Sequence, residues 1–184
     1  VDLFDFTIGI FKGAQGRKLS PFECHRLFCK TGEVVVVGGV RRSALISLSD
    51  LGDYEMAKAK SGAWWESMPE LALANNSAVY PKQPGIGQFL TEWGHLYDSK
   101  SGERGIFNKD SAHKGSNDRR DWSKIEGTNP CGEILLRSAG LCNLTEVIVK
   151  EDDTLESMMR KVRLATILGT VQSSLTNFKY VRKV

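Results

Sequence analysis

The chain has 184 residues, 41% of them hydrophobic and 26% charged, with a formal net charge of +3 at pH 7. This is ordinary globular composition, too weakly basic to argue for nucleic acid or an anionic membrane surface as partner. No apolar run reaches the ~18 residues that would argue for a bilayer span, and the opening residues do not read as a secretory signal.

Val1, Phe4, Ile8 and Phe11 share a helical face and Gly13 suits a stop, which predicts an amphipathic helix over 1–12. Ser20-Pro21-Phe22-Glu23 is a strong helix start, with Ser as N-cap, Pro at the first helical position and Glu closing a capping box. That helix is expected to reach about Lys30 and end at Gly32. Cys24 and Cys29 lie on it about 140° apart around the axis, poor geometry for a shared metal, and both read as packing residues. Glu33 to Val37 is a β-branched apolar run, the signature of a strand buried on both faces. Gly38-Gly39-Val40-Arg41-Arg42-Ser43 follows, and Ala44 to Leu48 reads as a further strand. A glycine pair lets backbone approach a ligand, and paired arginines offer forked donors to phosphate or base edges. Taken alone, the same residues fit a turn and a solvated surface equally well.

Asp53 to Lys60 and Trp64 to Ala74 are expected as short helices, with Trp64-Trp65 in the core rather than stacking bases. Asn75 to Tyr80 reads as a turn leading into a strand. Ile86, Phe89, Leu90, Trp93, Leu96 and Tyr97 form a helical stripe that predicts a core helix, on which His95 has no ligand partner nearby. Gly102 to Asn108 reads as a turn and a brief strand, and residues 109–126 as a polar surface loop in which His113 is neither ligand nor base. Ile134 to Leu136 and Leu144 to Val149 are strand candidates. Thr154 is expected to cap a long helix running towards Phe178. Helical stripes alternating with short apolar strands indicate an α/β fold with a largely parallel sheet.

The stretch Gly127 to Val147 carries the chemistry. Asn129, Cys131 and Glu133 stand at every second position, so extended backbone would turn an amide, a thiol and a carboxylate to one face. Pro130 fixes one φ and Gly132 permits unusual dihedrals, which suits a projecting loop. Cys142 follows eleven residues after Cys131, past a turn at Ala139-Gly140. Two thiols with a carboxylate between them point to thiol redox or thiol-radical chemistry. Singly, each residue has a plainer explanation: a small buried hydrophobe, a turn.

Asn-Pro-Cys-Gly-Glu-Ile, followed by Leu-Cys-Asn-Leu-Thr-Glu-Val, resembles the active-site segment of the class II, adenosylcobalamin-dependent ribonucleotide reductases. The likeness is nearest to the monomeric ribonucleoside-triphosphate reductases. Gly-Gly-Val-Arg-Arg-Ser-Ala is similar to their specificity loop, and Gly-Glu-Arg-Gly-Ile-Phe-Asn to a further family segment. The resemblance implies one incomplete domain over residues 1–184, an internal part of the ten-stranded α/β barrel with the cysteine turn as its central finger loop. It implies that Cys131 becomes a thiyl radical taking the ribose 3′ hydrogen, that Glu133 is general base on the 3′-hydroxyl, and that Asn129 holds ribose hydroxyls. Cys142 would be half of a redox-active dithiol, and Gly38, Gly39, Val40, Arg41, Arg42 and Ser43 would couple a deoxynucleotide effector to substrate choice.

The implied partners are a ribonucleoside triphosphate, a deoxynucleotide effector, a thioredoxin-like reductant and the remaining segments of the reductase. Adenosylcobalamin would bind largely outside this chain, with no metal site within it, no direct DNA binding and no membrane. Four cysteines without a Cys-x-x-Cys argue against a zinc ribbon or a thioredoxin motif, and free thiols in such an enzyme imply a reducing cytoplasm. The sequons at Asn75 and Asn143 are then coincidental. Two alternatives remain: a class I-type diphosphate reductase fragment, and a remnant that binds nucleotide or partner chains without catalysis.

Overall fold

The computed structural model describes residues 2–35, 43–115 and 121–177. The chain divides into two compact units, Val1–Leu135 and Leu136–Val184. The first begins with α1 (Asp2–Gly13) and α2 (Pro21–Glu33). The capping box at the head of α2 forms as expected: Glu23 N–H donates to Ser20 Oγ at 3.2 Å and Ser20 N–H to Glu23 Oε2 at 2.8 Å.

The strand expected from Glu33 does not form over the described residues. Glu33 closes α2, and the amides of Val34 and Val35 bond back to the carbonyls of Thr31 and Gly32. Each residue added to an existing helix gains a hydrogen bond at once, whereas a strand needs a neighbour to pair with. Val36 and Val37, with Gly38, Gly39, Val40, Arg41 and Arg42, lie outside the described residues.

A parallel three-stranded sheet organises the first unit: β1 (Leu45–Ser49), β2 (Ala74–Tyr80) and β3 (Gly105–Asn108), with β2 in the centre. Leu45 pairs with Ala74 and Ser77 with Gly105. Parallel neighbours require a crossover. The first carries α3 (Tyr54–Ala57), α4 (Trp64–Ser67) and a 3-10 turn over Pro69–Leu73; the second carries α5 (Ile86–Ser99). The two helices expected before β2 are thus single turns, and Asn75 and Asn76 already belong to the strand. Along β2 the burial alternates, so Ala74, Asn76, Ala78 and Tyr80 face inward while Asn75, Ser77 and Val79 lie on the more open face. Cys29, Leu71 and Ala74 form the core, with Phe22, Leu45, Trp64 and Met68 packed on it. Trp64 therefore joins the core as expected, and its neighbour Trp65 does not.

Only part of the apolar stripe of α5 faces inward, with Phe89 and Leu96 half-buried near Ala78 and Tyr80. Ile86, Leu90, Trp93 and Tyr97 are 74%, 58%, 54% and 69% exposed, while Glu92 and Ser99 are buried. The same inward face carries a buried charge pair. Glu92 meets the buried Arg104 through Nε at 3.0 Å and Nη2 at 2.8 Å, a two-pronged pair that orients the helix.

After β3 come α6 (Lys109–Lys114), a 3-10 turn over Trp122–Lys124, and β4 (Ile125–Thr128), which pairs with β5 (Leu135–Arg137). The stretch read as a polar loop therefore opens with a helix, because the Asn108 side chain caps it through Ser111 N–H at 2.9 Å.

In the second unit, α7 (Leu155–Ser173) starts at Thr154 in a capping box with Ser157. The expected strand over 144–149 is absent. Asn143 Nδ2 donates to Gly169 O at 3.0 Å and Lys161 Nζ to Ile148 O at 3.1 Å, so this segment is tied to the helix rather than laddered to a strand. No described helix is long and apolar enough to cross a membrane.

Candidate active site

The cysteine turn is held against the sheet by what precedes it. Ile125 of β4 is buried, and a Cβ added at Gly127 would stand 2.7 Å from Leu48 Cδ1, so any larger residue there would have to displace the Leu48 side chain. The chain then reverses in a β-turn, Gly132 N–H donating to Asn129 O at 3.0 Å. Pro130 supplies the fixed φ of the turn's second position, and Gly132 takes φ +88°, a value L side chains rarely adopt. The loop is closed at its base. Thr128 Oγ1 and Asn129 N–H both donate to Ile134 O, at 3.0 and 3.1 Å, and Ile134 N–H donates to Asn129 Oδ1 at 2.9 Å.

This geometry overturns the expectation of extended backbone with three side chains on one face. Asn129 is 6% exposed and its amide oxygen serves the loop. Cys131 and Glu133 are exposed. A turn is what Pro130 and Gly132 dictate, and a turn breaks the period of two.

Cys131 stands on a cleft of about 440 Å³, within the range of small-molecule sites, beside Pro130, Asn75, Ser77 and Ile106. Neither Asn129 nor Glu133 lines it. Asn75, from the open face of β2, donates through Nδ2 to Pro130 O at 2.6 Å. Glu103 also reaches the cleft, but its carboxylate is engaged: Lys60 Nζ approaches Oε1 at 2.9 Å and Asn76 N–H donates to Oε2 at 3.1 Å. Lys60 further donates to Ala74 O. This buried lysine fixes the entry of β2 and, with it, the placement of Asn75.

Cys142 belongs to the second unit and is half-buried. Of the arginine loop only Ser43 is described; its hydroxyl donates to Gly32 O at 2.9 Å, a second bond to a carbonyl that also accepts from Val35 N–H. Cys29 is fully buried beside His25, with Sγ 3.7 Å from Nε2, and burial pushes its thiol up to about 12. It is a packing residue, as expected. Among the described residues no three His, Cys, Asp or Glu side chains gather where they could hold a metal ion.

Sequence reasoning missed Asn75, Lys60 and Glu103. One signal was available: asparagine is depleted in strands, so an Asn pair entering a central strand needs a reason beyond the ladder.

No family model matches the chain, and no solved structure does. Among curated proteins, the adenosylcobalamin-dependent ribonucleoside-triphosphate reductase of Levilactobacillus brevis is 32% identical over 153 residues, covering 79% of this chain and 19% of that protein. The enzyme of the same name from Lacticaseibacillus paracasei is 33% identical over 137 residues, covering 72% of the chain and 18% of that protein. That from Lactobacillus helveticus is 29% identical over 154 residues, with 80% and 20% covered. The chain thus spans about a fifth of the length of the curated relatives it matches. It is a relative of the adenosylcobalamin-dependent ribonucleoside-triphosphate reductases, matching one fragment of them.

Proposed function

We propose that this chain is the part of a class II ribonucleotide reductase that carries the radical cysteine, and that it serves the reduction of ribonucleoside triphosphates to deoxyribonucleotides together with the remaining segments of the enzyme. The single observation that carries this reading is an exposed thiol, Cys131, presented by a closed turn at the rim of a nucleoside-sized cleft on a parallel sheet. The fold in this reading is a sector of the ten-stranded α/β barrel, one incomplete domain over residues 1–184, with the cysteine turn as its finger loop.

Adenosylcobalamin, when bound, supplies the one-electron chemistry that removes a hydrogen atom from a thiol. The exposed Cys131 suits a sulfur that must be reached from outside the cleft; the residues holding the cofactor lie largely in segments other than these. Cys131, as a thiyl, takes the 3′ hydrogen of the ribose, and the radical there makes loss of the 2′-hydroxyl accessible. Glu133 accepts the 3′-hydroxyl proton, which requires the sugar to come within hydrogen-bond reach of an exposed carboxylate on the return arm of the turn. With Oδ1 of Asn129 given to Ile134, its amide hydrogens are what it offers a ribose hydroxyl. Cys142 contributes one of the two reducing equivalents, replenished by a thioredoxin-like reductant. Gly38, Gly39, Val40, Arg41, Arg42 and Ser43 couple a deoxynucleotide effector to the choice of base.

Cys131→Ser in the assembled reductase tests this directly. An alcohol O–H is too strong to yield a usable radical, so deoxynucleotide formation should vanish while triphosphate binding stays close to wild type. Cys142→Ser removes one of the two reducing equivalents that each deoxynucleotide requires, so it should stop product formation; steady turnover in that variant would refute the dithiol role.

A second reading draws on the loop itself. The amide oxygen of Asn129 is spent inside the turn and Glu133 stands off the cleft lining, the arrangement of a remnant that binds nucleotide without catalysis. Nucleotide binding with no product in the complete complex, with cofactor and dithiol supplied, would establish it.

A further inference from the structure

We propose that Asn75 is a positioning residue for Cys131: from the central strand of the sheet it pins the peptide group that aims the cysteine. This inference rests on the reading of Cys131 as the reactive thiol.

The turn Asn129–Gly132 has a single soft feature. Its closing bond, Gly132 N–H to Asn129 O at 3.0 Å, is common to turn types that differ by a flip of the central peptide. Here the central peptide joins Pro130 to Cys131. Flipping it changes ψ of Pro130 and carries φ of Cys131 from negative to positive, which swings the Cα–Cβ bond and with it the sulfur. Pro130 fixes only its own φ and has no N–H, so its carbonyl is the sole backbone handle it provides on that peptide. Asn75 Nδ2 donates to this carbonyl at 2.6 Å. Cys131 does not take a positive φ, as the unflipped peptide requires.

The other bonds of the loop, from Thr128, Asn129 and Ile134, fasten its base and leave the central peptide untouched. Among the bonds named for this turn, that from Asn75 comes from outside it, bridging 55 positions of sequence. The donor has a firm footing. Asn75 pairs with Ile46 in β2, the strand hydrogen-bonded on both sides, and the adjacent Asn76 N–H is held by Glu103. Strand, amide and turn therefore form a rigid path from sheet to sulfur, and Asn75 and Cys131 line the same cleft.

Two substitutions separate this role from simple bulk. Asn75→Asp keeps the shape but has no N–H to give, and its charge repels the carbonyl; Asn75→Gln keeps a donor on a longer arm. In the full chain, NMR reads the turn without any reductase assay, through the contact between Pro130 Hα and Cys131 N–H, weak in the unflipped turn and strong once the central peptide flips. Asn75→Asp should strengthen that contact, with the β2 amides Ala78 and Tyr80 unchanged, and Asn75→Gln should restore much of the wild-type pattern. An unaltered contact in Asn75→Asp overturns the proposal. In the complete reductase, Asn75→Asp should lower kcat with KM little changed and Asn75→Gln should recover part of it. An undiminished kcat would also overturn the proposal. If the wild-type assembly makes no deoxynucleotide, the reductase reading fails while the NMR contact still decides whether Asn75 holds the turn.

Discussion

Arg104 shows what one side chain can fix. Its guanidinium donates to Glu92, to Ser49 Oγ at 2.8 Å, to Asp50 O at 3.1 Å and to Leu51 O at 3.2 Å, joining α5 to the end of β1. Both charges are buried, so removing one strands the other. Arg104→Ala should cost about 3–5 kcal/mol in urea unfolding. The double change Arg104→Met, Glu92→Leu should cost markedly less, since it leaves no bare charge. A single variant no worse than the double would deny the pair this role. Nothing local announces such a pair, because the partners are held together by the fold and the apolar stripe at 86, 90, 93 and 97 points the other way. Cysteine reactivity was more legible. Cys29 sits mid-helix in an apolar setting and its thiol is pushed up to about 12, chiefly by burial. Iodoacetamide near pH 8 should therefore label Cys131 and spare Cys29 in the folded chain, as peptide mass mapping would report; equal labelling would mean that the α2 core is open.

At the scale of elements, what could be read was local and what could not was pairing. The caps at Ser20 and Thr154 were visible because each is decided within four residues. The runs at 33–37 and 144–149 looked like strands because β-branched residues favour them, yet whether a ladder forms depends on a partner that composition does not reveal. The same limit hid the bond from Asn75 to Pro130, while the turn itself was legible in Pro130 and Gly132. Helix α7 carries its own pH sensitivity. Asp153 accepts from Lys161 Nζ at 2.5 Å, from Lys150 N–H at 2.8 Å and from Ser157 Oγ at 2.7 Å, and its carboxyl falls from the ordinary 3.8 to about 2, first because of Lys161. A depressed carboxyl stabilises the fold fully above its unfolded value and loses that contribution as pH falls through its folded value. Acid titration followed by far-UV circular dichroism should therefore show α7 weakening between about pH 4 and pH 2. Asp153→Asn should abolish that phase; its persistence would assign the transition to other groups. Ser20→Ala should cost about 1 kcal/mol by loss of the cap on α2.

At the scale of the whole chain, the apolar surface outruns what a self-contained domain leaves in water. In the first unit Phe4, Ile8 and Phe11 stand exposed along α1, and Ile86, Leu90, Trp93 and Tyr97 along α5. In the second unit Leu155, Met159, Leu168 and Val171 do the same along α7. Single exposed apolar residues are normal, but rows of them on successive helical turns mark surfaces meant to be covered. Among the described residues β1 and β3 each pair only with β2, so both outer edges of the sheet can accept a further strand. The curated relatives are about five times longer than the matched segment, and under the function proposed above the covering chain would come from the remaining segments of the enzyme. Expressed alone, the chain should therefore self-associate and bind a hydrophobic dye, and sedimentation velocity should show a distribution that grows with concentration. Supplying the remaining reductase segments, fused or in trans, should collapse it to one defined species with the dye released. A monomer at every concentration without those segments would show that these rows and edges are finished surfaces, and would remove the physical reason for assigning the chain to a larger barrel.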